Sequence, residues 1–166
     1  MFDAFIKIDG VDGESSDTKH AKEIQILDFE FGSKANLDAG TGNPAGRTKM
    51  SDLRFCHHVD KASTALFNYH FTHKRIPKVV LSVRRAGGQF AQDFMVITLT
   101  DAIIAALTVN GSTGKLEDMD NLDKRLPLPI ETVTLNFAGF SIDYREQSAD
   151  GGTKSSSSAE YKWGAR

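Results

Sequence analysis

The chain has 166 residues, 40% of them hydrophobic and 25% charged, with 11 Phe spread along its length, a composition that folds around one core and is too short for two comfortable ones. A formal charge of −2 and a pI near 6.2 leave no basic field for a nucleic-acid backbone, and the lone cysteine, Cys56, excludes an internal disulfide and a cysteine-built zinc site. No apolar run reaches the ~18 residues that span a bilayer, and Met1–Lys7 lacks the basic and apolar regions of a secretory signal. The expectation is one domain over residues 1–166 that folds in the cytoplasm and, if it leaves the cell, does so by another route.

Phe2 to Ile8 is short, apolar-rich and closed by the turn pairs Asp9-Gly10 and Asp12-Gly13, which predicts a strand. Ile24 to Phe31 predicts a second, with a change of phase: Ile24 and Ile26 alternate with Leu27, Phe29 and Phe31, so that Asp28 and Glu30 inherit the side of the isoleucines. Such a switch calls for a bulge or a bend. Residues 35–49 carry Gly and Pro without periodicity and read as one long loop. Leu53 to Val59 predicts a third strand, with His57 and His58 on opposite faces, running into Asp60, a helix N-cap residue type. Ala62, Ala65, Leu66 and Tyr69 then share one helical face, which places a helix at about 61–73.

Val79 to Arg84 alternates, Ala86-Gly87-Gly88 turns, and Phe94 to Leu99 is apolar on both faces, the pattern of a central hairpin. Ala102 to Val109 fits a buried strand or a short helix, its β-branched residues and closing Asn110-Gly111 favouring strand, and Leu116 to Leu128 reads as loop. Ile130 to Tyr144 is the longest strand-like segment and again switches phase, from Val133, Leu135 and Phe137 to Phe140, Ile142 and Tyr144. Ser155 to Ser158 reads as a flexible surface turn before a last short strand at Tyr161–Trp163. Many short strands and one helix predict a mainly β fold, a sandwich or barrel.

Motifs that carry chemistry fail on inspection. Gly40 to Thr48 imitates a phosphate-binding loop, but Thr41 stands where a glycine is required and Arg47 where the lysine must reach the phosphates, and the segment precedes a strand rather than a helix. His70 and His73 are two ligands without a marked third. Asp118, Asp120 and Asp123 lack the glycine and closing glutamate of a calcium loop. Cys56 has no flanking signature of a nucleophile. No catalytic, cofactor or metal residues are expected.

Other stretches carry a resemblance. Phe5-Ile6-Lys7-Ile8, Gly13-Glu14-Ser15, His20 and Phe29-x-Phe31-Gly32 are followed by Val59-Asp60-Lys61-Ala62-Ser63, Arg84-Arg85-Ala86-Gly87-Gly88, Glu131-x-Val133-x-Leu135-Asn136-Phe137, Tyr144-x-x-Gln147 and Asp150-Gly151. In this order, over nearly the whole chain, they resemble the haemolysin-coregulated protein (Hcp) family, the tube subunit of the bacterial type VI secretion system. The resemblance implies two antiparallel sheets wrapped as a barrel or sandwich with one flanking α-helix. It implies a structural subunit and no enzyme: a homo-hexameric ring, stacked on further rings, that carries or chaperones small effector proteins in its lumen. A contractile sheath would eject this tube with a spike protein, moving the chain from the cytoplasm to the extracellular space or a target cell.

Within that frame Asp28 and Glu30, opposite Phe29 and Phe31, are expected to face the lumen. The loop at 35–49, with Leu37, Asp38, Asn43 and Arg47, is expected to reach the neighbouring ring. The competing reading is a monomeric β-barrel binding or adaptor module without ring assembly.

Overall fold

The computed structural model describes residues 2–85, 92–111, 128–147 and 153–162. Ten strands and one helix follow in order: β1 (Phe2–Ile8), β2 (Ile24–Glu30), β3 (Ser33–Lys34), β4 (Lys49–Met50), β5 (Leu53–His58), α1 (Ala62–Phe71), β6 (Ile76–Arg85), β7 (Asp93–Asn110), β8 (Ile130–Asn136), β9 (Gly139–Gln147) and β10 (Thr153–Lys162). Six of them close a barrel, because β1 pairs with β2 and β6, β2 with β5, β5 with β8, and β7 with both β6 and β8. Every pairing is antiparallel. β9 and β10 extend the sheet beyond β7 as a wing.

The expected barrel with one flanking helix is thus observed, and its closure rests on one strand pair. β7 and the β8–β9 run lie side by side throughout, from Asn110 opposite Ile130, through Ile103 opposite Asn136, to Met95 opposite Tyr144. Both kink at one level. Asp101 adopts a left-handed φ of 50°, and across from it Phe137–Ala138 interrupts the strand, with the Ala138 N–H donating to the Thr100 carbonyl at 3.0 Å. Ile130 to Tyr144 is therefore two strands rather than one, while Phe94–Leu99 and Ala102–Val109 merge into a single one.

The barrel core follows from the alternation. Ala4, Ile6 and Ile8 from β1, Leu53 and Phe55 from β5, Val79, Leu81 and Val83 from β6, and Val133 and Leu135 from β8 are all buried. Each fully buried Leu or Ile contributes about 1.5–3 kcal/mol. Helix α1 adds Ala62, Leu66 and Tyr69 to the same cluster. At its start the Asp60 carboxylate accepts the Ala62 N–H at 2.9 Å while the Asp60 N–H donates to Ser63 Oγ, a reciprocal cap. It ends two residues earlier than predicted: His73 is left-handed, φ 51°, and the Lys74 N–H returns to the Tyr69 carbonyl at 3.0 Å, which satisfies the last turn.

Two expectations are corrected. Ser155 to Ser158 is no turn but part of β10, opposite Glu146 to Asp143. Pairing along β9 overrides the serines' turn preference, since strand propensity follows cross-strand context. Residues 35–49 are not featureless either: β3 pairs with β4, and Leu37 bridges Pro44, so the excursion is a hairpin arm. The predicted turn at Ala86–Gly88, most of the loop at 116–128 and Trp163 lie outside the described residues.

Candidate interaction surface

The phase switch in β2 is a bulge. Register with β5 shifts between Ile26, opposite His57, and Asp28, opposite Cys56. Ahead of it Ile24 and Ile26 point into the core; after it Phe29 takes the inner side, and Asp28 and Glu30 are exposed. Without the extra residue, strict alternation would place both carboxylates in the barrel.

Beyond the bulge, four strands share one outward face. Glu30 lies across from Arg54, Arg54 from Thr134, and Thr134 from Ala106; one step along, Asp28 lies across from Cys56, Cys56 from Thr132, and Thr132 from Thr108. Asp28, Glu30, Arg54, Ala106 and Thr108 are exposed, and Cys56, Thr132 and Thr134 partly so. The Cys56 thiol sits 3.4 Å from Thr132 Oγ1. On the inner side of the same strands stand Phe55, Val133 and Leu135, all buried. The result is an amphipathic sheet with a hydroxyl- and charge-bearing outer face, which a sheet with one wet side requires.

This four-strand sheet has two edges without a backbone partner among the described residues. β1 accompanies β2 only from Ile24 to Ile26, so Leu27–Glu30 is open on that side. β6 accompanies β7 only as far as Ala102, so Ala105–Asn110 is open on the other. Helix α1 sits beside this second edge, with His70 Nδ1 donating to the Ile104 carbonyl at 3.0 Å. His70 is thereby committed to the backbone, and His73 is exposed at the turn beyond.

The arm that leaves β2 is exposed throughout, Leu37, Asp38, Asn43 and Arg47 included. Its tip is organised by Asp38, whose carboxylate accepts the N–H groups of Gly40 and Thr41 at 3.1 and 2.8 Å and the Thr41 hydroxyl at 2.9 Å. Those bonds, the Thr41 N–H foremost, hold the Asp38 carboxyl below the usual carboxylate range. The segment leads into strand β4, not into a helix, as the phosphate loop would require. At its root a cleft between Thr48–Asp52 and Asn136–Phe137 holds one carboxylate, Asp52, which accepts from Asn136 Nδ2 at 2.7 Å.

Two buried polar groupings serve the scaffold. His57 and Glu131 are both fully buried, with His57 Nε2 2.7 Å from Glu131 Oε2; His58, on the other face, is exposed. The second grouping ties the β1–β2 connection to β6 and β7. His20 stacks on Phe5 at 4.4 Å and sets its ring nitrogens 2.8 Å from Glu23 and 3.1 Å from Asp93. Arg84 covers the Phe5 ring at 4.8 Å and donates to Asp17. That guanidinium bond, aided by the Lys19 and His20 N–H groups, holds Asp17 down to about 2. Sequence reasoning placed His20, Arg84 and Glu131 only within matched motifs and missed Asp17 and Asp93. Polar residues bordering apolar strands were the one signal present, and their convergence depends on pairings 67 to 74 residues apart.

The family profile described as the type VI secretion system effector Hcp matches residues 5–144. The chain belongs to the Hcp family. A curated relative, "Protein hcp1" of Pseudomonas aeruginosa, is 35% identical over 166 residues, covering 99% of this chain and 95% of its own. Among solved structures, this Hcp protein is similar to Hcp1 from Salmonella typhimurium, with 31% identity, TM-score 0.72 and 97% and 94% of the two chains covered. It is also similar to a type VI secretion system effector from Yersinia pestis, with 30% identity, TM-score 0.73 and 97% and 100% covered. A structure described as a type six secretion system protein reaches TM-score 0.83 at 25% identity, covering 98% of this chain and 96% of its own. No helix among the described residues is long and apolar enough to cross a membrane.

Proposed function

We propose that this Hcp protein is the structural subunit of a type VI secretion tube, in which six copies close into a ring and rings stack. The observation that carries the ring is the pair of open sheet edges. From β2 through β5 and β8 to β7 the strands alternate in direction, so β7 of one copy meets β2 of the next antiparallel, and the contact is head-to-tail, the kind that closes by rotation. Six copies would make a wall of 24 strands. At about 4.8 Å per strand the backbone circle is about 37 Å across, which leaves an open channel inside the lining side chains.

In that ring the outward face with Asp28 and Glu30 lines the lumen, where small effector proteins ride. The arm with Leu37, Asp38, Asn43 and Arg47 reaches the next ring; its carboxylate-organised tip is already shaped for contact, which lowers the cost of docking. A contractile sheath and a spike are the remaining partners, and release from the cytoplasm follows ejection of the tube. No catalytic role is assigned.

Negative-stain imaging and size-exclusion chromatography with light scattering test the reading. Rings with an open centre and six-copy mass are expected; a monomer at micromolar concentration favours the adaptor module instead. Deleting Leu37–Ala45 is expected to leave rings and abolish tubes, and intact tubes would count against the arm. Exchange of Glu30 for arginine is expected to alter cargo retention while leaving the ring mass unchanged; side chains on the outer wall of a crystallised ring would exclude the lumen assignment.

A further inference from the structure

Open strand edges need more than backbone pairing to hold, because water satisfies the same N–H and C=O groups in the free subunit. Large apolar side chains flank both edges. Beside the β7 edge, Phe71 closes helix α1 at 75% exposure, stacked on Phe67 at 6.3 Å and next to the His70 that contacts Ile104. Beside the β2 edge, where β1 and β2 part at the bulge, Phe2 is 52% and Leu27 48% exposed, and Phe2 meets Phe29 edge-on at 6.3 Å.

Phe71, at the outer end of the helix, stands outside this chain's own core, with the partly buried Phe67 behind it. The same holds for Leu27, which the bulge turns outward. The two groups lie on opposite sides of the four-strand sheet, one at each edge. Both groups therefore border a contact that joins the edges of successive copies.

We infer that Phe71, backed by Phe67, is the aromatic anchor of the contact between subunits, seated against Phe2 and Leu27 of the next copy. This rests on the ring reading and names what clamps it. The occupant is a second copy of this chain because both halves of the contact are present on one chain, at edges whose strand directions match. A desolvated aromatic at the centre of such a contact carries much of its binding energy, while the strand hydrogen bonds set register.

The test uses the full chain. Phe71→Glu is expected to weaken each contact about thirtyfold, so that light scattering finds monomers at dilutions where the unaltered chain is annular. The melting temperature of that monomer is expected to match the unaltered monomer, since the side chain is already in water. In a Cys56→Ser background, Phe71→Cys combined with Leu27→Cys and treated with a short bismaleimide is expected to give a ladder ending at six copies on a denaturing gel. Either single cysteine is expected to give no ladder. Annular Phe71→Glu protein, or dimers from Phe71→Cys alone, would overturn the anchor and leave the ring standing. An unaltered chain that stays monomeric at every concentration overturns both.

Discussion

Truncating Glu131 to alanine removes the partner of an imidazole that has no access to water. His57 and Glu131 are each 0% exposed and meet at 2.7 Å, and among the described residues neither His57 Nδ1 nor Glu131 Oε1 has a hydrogen-bond partner; the Asp60 carboxylate stands 3.9 Å from Nδ1. Breaking a buried pair from one side costs about 3–5 kcal/mol, whereas exchanging both members for apolar residues is often neutral. At about 2–4 °C per kcal/mol for a chain of this size, Glu131→Ala is expected to lower the melting temperature by about 10 °C. The double exchange Glu131→Leu with His57→Leu is expected to recover most of that loss. Circular dichroism melts at fixed protein concentration read the difference, because assembly makes the midpoint depend on concentration. A single variant that loses under about 1 kcal/mol, or a double variant that loses the sum of the two singles, would refute the account of the pair as mutually dependent.

Asp17 supplies the pH prediction. Its folded carboxyl titrates near 2 against an ordinary 3.8, so the stability it contributes is present above about 3.8 and is lost as pH falls toward 2. Asp17→Asn is expected to be destabilised relative to the unaltered chain in urea titrations at pH 6, with the gap closing as pH is lowered from 4 to 2. Gly13→Ala places a Cβ 2.6 Å from Ile24 N and against the Glu23 carbonyl, backbone atoms that cannot swing aside, and is expected to cost about 1–3 kcal/mol in the same titration. Asp60→Ala removes the carboxylate that caps α1 and is expected to cost about 1 kcal/mol, read as a lower urea midpoint with the slope unchanged. Phe55→Ala empties a fully buried site and is expected to cost about 3–5 kcal/mol.

The barrel was legible where period alone decides the matter. Val79, Leu81 and Val83 alternate with nothing to contradict them, and the odd phase of Ile24 to Phe31 announced the bulge at the residue where it occurs. Ser155–Ser158 misled because serine carries almost no strand signal of its own; β9 supplies the pairing, and no local pattern records it. The arm at 35–49 hid a rung for the same reason, its Leu37–Pro44 bridge being a single contact. Asp28 and Glu30 could be placed on one side of a strand, yet the four-strand face they share with Arg54 and Thr134 depends on two long-range registers. The open edges were invisible in sequence, since they exist only because β1 and β6 stop short of their partners.

The bulge between Ile26 and Asp28 also divides β2 into a segment answerable to the core and a segment answerable to whatever approaches from outside. Substitutions at Ile24 or Ile26 disturb the packing of every neighbour in the barrel. Those at Asp28 and Glu30 disturb none. One inserted residue thus separates the chemistry of the exposed face from the packing of the barrel behind it.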